Sequence, residues 1–95
     1  MKDLQKIFNE IPEGVSLQMH GRYGYLYFKN NYGYIQFYVE LSGVPQFQFL
    51  VWFKTVSVWT FPSDFEISTD DKLVVKSKLI EFLEQKGITS DIYPQ

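Results

Sequence analysis

The sequence predicts an α+β domain: a single antiparallel β-meander of four to five strands, with an N-terminal and a C-terminal helix packed on one face. Three observations carry that expectation. Apolar and polar residues alternate in several segments between residues 15 and 58, the period of half-buried strands. Stripes at helical spacing flank those segments on both sides. The run YGYLYF that begins at Tyr23 is echoed by YGYIQF beginning at Tyr32, as the two arms of one hairpin would be.

Each element follows in order. Leu4, Ile7, Phe8 and Ile11 form one stripe of a short helix, which Pro12 ends. Val15, Leu17 and Met19 alternate with Ser16, Gln18 and His20 in a first strand, and Gly21 lets the chain turn. The hairpin comes next, with Asn30-Asn31 as a two-residue turn, because Asn tolerates the positive φ of a type I′ turn. Counting outward from that turn sets Tyr27 opposite Tyr34, Tyr25 opposite Gln36 and Tyr23 opposite Tyr38. Leu26 then faces Ile35, and Gly24 faces Phe37, on the other side, which Val39 and Leu41 extend. One face is aliphatic plus Phe, the other tyrosine. A one-residue slip would exchange them.

Residues 42–45, SGVP, read as a connection. Phe47, Phe49, Val51 and Phe53 then alternate with Gln46, Gln48, Leu50, Trp52 and Lys54. The phase slips at Val56 and Val58, which fits either a bulge or a tight turn into a short strand ending near Trp59. Residues 60–66 read as a loop that Trp59 and Pro62 pin beneath the last helix. Ser68 with Asp71 makes a capping-box-like start, and Asp70 and Asp71 suit the positive end of the helix dipole. Leu73, Val75, Leu79, Ile80, Phe82 and Leu83 give the helix an apolar arc, Gly87 stops it, and residues 88–93 read as a last short strand.

The 95 residues make a single domain, since they suffice for one core and not for two. With both helical stripes matched to the Phe/Leu/Ile/Val face, the tyrosine face is left open.

Composition narrows the function. Net charge is −2, which gives no footprint for a phosphate backbone. With no cysteine there is neither a disulfide framework nor thiolate chemistry. The apolar runs are far shorter than the roughly 20 residues that span a bilayer, and MKDLQKIFNEI is amphipathic rather than a signal peptide, so a cytoplasmic protein is expected. The lone His20 lacks an orienting partner for general base chemistry and any ligand spacing for a metal, and it reads as a solvated strand-end residue. No cofactor and no enzymatic activity are expected.

Exposed tyrosines make effective protein anchors, because they bury large areas at low rotamer cost and keep a hydrogen-bonding tip. The expected partner-binding set is Tyr23, Tyr25, Tyr27, Tyr34, Tyr38 and Trp52, rimmed by Gln36, Glu40, Gln46 and Gln48. Asp64, Glu66, Asp70 and Asp71 form a secondary acidic surface. Gly21-Arg22-Tyr23-Gly24-Tyr25-Leu26-Tyr27-Phe28 also resembles the aromatic strand motif of RNA-recognition domains. There the motif lies on the third strand of a β-α-β-β-α-β unit, however, and here only a helix and one strand precede it. Single-stranded nucleic-acid or small-ligand binding through the tyrosine face is therefore the alternative, and a homodimer through that face is a third reading.

One family resemblance runs from Phe49 to Tyr93. It is carried by Phe49-Leu50-Val51-Trp52, the step from Val56 to Trp59 with Pro62, the acidic Asp64-Phe65-Glu66-Ile67, the capped helix from Ser68 to Lys86, and Gly87-Ile88. In that layout the chain resembles the C-terminal half of small bacterial immunity proteins of polymorphic, contact-dependent toxin systems. The tyrosine hairpin and the leading helix depart from the pattern. The resemblance implies a small, acidic, non-enzymatic protein that neutralises a toxin by occluding its active site.

Overall fold

In the computed structural model, which describes residues 4–53, 56–62 and 65–93, the chain runs α1 (Leu4–Glu10), β1 (Gly14–His20), β2 (Tyr23–Lys29), β3 (Tyr34–Val44), β4 (Phe47–Trp52), α2 (Thr69–Gln85) and β5 (Ser90–Tyr93). The strands form one sheet in the order β1-β2-β3-β4-β5. The fold is α+β, as expected. The meander holds from β1 to β4, but β5 lies parallel to β4 and is not a further antiparallel arm. The cause is α2, whose 17 residues carry the chain back along the sheet before it re-enters, a crossover that demands a parallel return. Gln48 fixes that re-entry: its Oε1 accepts from the Thr89 N–H at 3.1 Å, and its own N–H donates to Thr89 Oγ1 at 3.0 Å.

The hairpin is longer in the turn than the sequence suggests. Lys29 pairs with Tyr34, so residues 30–33 form a four-residue loop instead of a two-residue turn. Asn30 explains the difference. Its side-chain oxygen accepts from the N–H groups of Tyr32 (2.9 Å) and Gly33 (3.1 Å), while its own N–H donates to the Gly33 carbonyl at 3.0 Å. A side chain that closes its own turn competes with the type I′ geometry. The register therefore moves by two: Tyr25 faces Tyr38, Tyr27 faces Gln36, Tyr23 faces Glu40, and Leu26 faces Phe37. Because the shift is even, both faces keep their membership.

The core lies on the aliphatic face. Leu26, Phe28, Ile35, Phe37, Val39, Phe49, Val51 and Phe53 pack beneath Val75, Leu79 and Leu83 of α2, with Trp59 and Ile92 completing the cluster. Each such side chain contributes about 1.5–3 kcal/mol on burial. Ser68 caps α2 as its sequence position demands, its Oγ accepting from the Asp71 N–H at 3.1 Å. The apolar arc is narrower than expected: at about 100° per residue Leu73 lies about 120° round the helix from Leu79, off the buried line of Val75, Leu79 and Leu83, and is 62% exposed. Leu41 and Phe47, at the far end of β3 and β4, are likewise exposed. There β3 runs on through Ser42 and Gly43 to Val44, past the expected connection. A register shift between Leu41 and Val44 accommodates Gly43, whose φ of +75° an L side chain rarely adopts.

Val58 makes an isolated bridge to Glu66, so among the described residues no separate strand ends near Trp59. Lys54 lies outside the described residues. No helix among the described residues is long and apolar enough to cross a membrane.

The two helices do not share a face. α1 is held on the tyrosine side, where the Lys29 ammonium donates to the carbonyls of Phe8 (2.6 Å) and Ile11 (2.9 Å). Its own last turn contains no basic residue, so a lysine from β2 supplies the C-terminal cation. The Phe8 ring then stacks on Tyr34 at 6.4 Å. A stripe of four apolar residues says that α1 packs, not where.

Candidate functional site

Alternation along β2 and β3 puts Tyr23, Tyr25, Tyr27, Tyr34 and Tyr38 on one side of the sheet, and pairing turns the alternation into a continuous row of rings. Tyr23 stacks on Tyr38 with centroids 6.1 Å apart and planes 20° off parallel. Tyr25 meets Tyr23, Tyr27 and Tyr38 at 6.1 to 6.3 Å, and Tyr27 meets Tyr34 at 6.1 Å. His20 closes the row on the β1 side, 5.8 Å from Tyr23 and 6.2 Å from Tyr25. It is an exposed residue, as expected, but a ring partner rather than an isolated strand end. Centroid separations of 4.5–7 Å are those of favourable aromatic pairs.

Accessibility divides the row. Tyr23 and Tyr38 are 43% and 39% exposed, Tyr25 and Tyr27 are half-buried, and Tyr34 is 1% exposed. Tyr34 was expected to be open to a partner; it belongs instead to a second small core. Phe61 stacks on it at 6.3 Å, and the two backbones bond reciprocally, Tyr34 N–H to Phe61 carbonyl at 2.8 Å and Phe61 N–H to Tyr34 carbonyl at 3.2 Å. Phe8 covers the same ring and lies 5.3 Å from Phe61. Phe8 and Phe61 are what sequence reasoning missed, since neither belongs to the hairpin.

Burial raises the Tyr27 and Tyr34 phenols above their ordinary value, for Tyr27 against the opposing effect of Gln36, whose amide donates to its hydroxyl at 3.2 Å. Tyr38 is raised as well, by desolvation first and then by the neighbouring Glu40 carboxylate, to which it is hydrogen-bonded. All three stay neutral donors over the physiological range. A cleft of about 460 Å³ separates α1 from the sheet, lined among others by Glu10, Ser16, Gln18, His20, Tyr25 and Tyr27.

Trp52 alternates with Val51 and Phe53 of the core, so it shares the tyrosine side, half-buried and one strand beyond Tyr38. Gln48 of the expected rim is engaged by Thr89. The acidic set does not join this surface. Asp70 and Asp71 occupy the first turn of α2 on the opposite side of the sheet, Glu66 is exposed in the preceding segment, and Asp64 lies outside the described residues. Among the described residues no three His, Cys, Asp or Glu side chains are placed to hold a metal ion.

No family model matches the chain, and neither a curated protein nor a solved structure does.

Proposed function

We propose that the chain is a non-enzymatic cytoplasmic protein-binding module, and specifically an immunity protein that neutralises a toxin by covering it with the tyrosine face. The observation that supports this reading best is the exposed Tyr23–Tyr38 pair, stacked across two central strands. Rings fixed by strand pairing give up little further freedom on binding, and tyrosines so placed make strong contact anchors. Tyr25, Tyr27 and Trp52 extend the contact area, while His20 and Glu40 supply polar groups at its rim. Tyr34 supports the surface from beneath rather than touching the partner.

Glu40, Glu10 and Asp91 lie on or beside this face, whereas Lys29 is bound to α1 carbonyls. A basic partner surface complements that pattern. Single-stranded nucleic acid fits it less well: Arg22 is exposed beside Tyr23, but Lys29 is engaged and the carboxylates oppose a phosphate backbone. The toxin assignment itself rests on the resemblance between Phe49 and Tyr93. The test is to look beside the gene for a reading frame with a toxin-like domain and to co-express that domain with the chain; a neighbourhood without one counts against the assignment. Host survival that depends on the chain, and on Tyr23 and Tyr38 within it, supports the proposal. Cell death despite a stable, folded chain rejects it.

The cleft beside Tyr25 and Tyr27 favours one other reading, a small polar ligand held between α1 and the sheet. A Glu10→Gln, Gln18→Ala variant that still protects the host would separate that reading from the first.

A further inference from the structure

β1 forms one edge of the sheet. Its seven residues, GVSLQMH, include no proline and no lysine, and they pair with β2 along their whole length without a bulge. Exposed edges are ordinarily blunted by such devices, because a regular row of free N–H and C=O groups templates another strand. Open clefts border β1 on both sides, one reaching Gln18 and Tyr25, the other reaching Leu17, Phe82 and Ile88. Val15, Leu17 and Met19 point to the core side yet are only half-buried there.

We infer that β1 pairs antiparallel with β1 of a second copy, joining two five-stranded sheets into one. The strand is its own complement. A twofold axis through Leu17 sets Val15 against Met19, Ser16 against Gln18 and Gly14 against His20, so apolar meets apolar and no like-charged acidic or lysine pair arises. Antiparallel cross-strand pairs of this kind stabilise a sheet. The same axis keeps both α2 helices on one side. The α2 rim next to β1 carries Lys78, Glu81 and Lys86, and antiparallel helices offer Lys of one copy to Glu of the other. Tyr23 and Tyr38 lie on β2 and β3, one and two strands in from the paired β1 edge, so neither belongs to the strand that the second copy joins.

Light scattering and sedimentation equilibrium of the full chain test this. The wild type should approach twice the 11.3 kDa chain mass as concentration rises. Ser16→Lys with Gln18→Lys places like charges directly opposite each other and should give a monomer with an unchanged circular dichroism spectrum. Mixing it with the Ser16→Glu, Gln18→Glu variant should restore the dimer as a heterodimer. Amide hydrogen exchange on the wild type provides a check that needs no variant: β1 protection should increase with protein concentration. A wild type that is monomeric throughout, a dimer unaffected by the lysines, or β1 exchange independent of concentration overturns the inference.

Discussion

Tyr34 and Phe61 bond to each other through both backbone directions and stack their rings at 6.3 Å. That pairing joins the loop before α2 to the first residue of β3, and it turns one tyrosine of the row into core. The consequence is measurable. Tyr34→Ala should cost about 3–5 kcal/mol, the range for a buried aromatic, while Tyr23→Ala at the exposed end should stay within about 1 kcal/mol. Urea unfolding of the two variants decides it, and equal losses would contradict the division of the row.

Gly33 adjoins the same contact. A Cβ there would run into the Phe61 carbonyl oxygen, a backbone atom that cannot swing aside. Gly33→Ala is expected to cost about 1–3 kcal/mol through overpacking, and to expose the Phe61 amide in hydrogen exchange. Thermal melts and exchange rates report the two effects separately.

Lys29 ties α1 to the sheet through two carbonyls and lies 4.4 Å over the Phe8 ring. Lys29→Met keeps the stem and removes the donors. It should cost about 1.5–3 kcal/mol, as for hydrogen bonds to a charged group, and should raise proteolysis within α1 before global unfolding. Retained protection of α1 would show that apolar packing by Ile7, Phe8 and Ile11 holds it without the lysine.

The buried phenols set an alkaline limit. With Tyr27 and Tyr34 raised above the ordinary value of 10.0, the unfolded chain loses these protons first as pH rises. Their contribution to stability is thus fully present below pH 10 and is lost as pH climbs through the folded values. Urea midpoints followed through that alkaline range should fall, and Tyr34→Phe should lessen the fall.

Which residues share a face was readable from the sequence, while their pairing was not. The faces depend on a period of two, and the extra residues of the Asn30 loop shift the pairing by two, leaving Tyr25 and Leu26 on their expected sides. The local window fits two turns, Asn30-Asn31 as a two-residue turn and Asn30 with Gly33 as a four-residue one, and does not choose between them. The cap at Ser68 was readable because it is local. The side chosen by α1 depends on Lys29, some 18 to 21 residues away. The burial of Tyr34 depends on Phe61, further still along the chain. Long-range contacts of this kind decided three departures, the parallel β5, the covered Tyr34 and the opposed helices, whereas the shifted hairpin register was decided locally by Asn30.

The central claim is that Tyr23 and Tyr38 form the contact surface for a toxin partner. Its most direct test is calorimetric titration of a toxin domain from whose action the chain protects its host, into wild type and into the Tyr23→Ala, Tyr38→Ala double variant. The variant should keep its fold and lose more than about 2 kcal/mol of binding free energy, the level of an interface hot spot. Binding of undiminished affinity by a folded double variant, or no binding by the wild type, would contradict the claim.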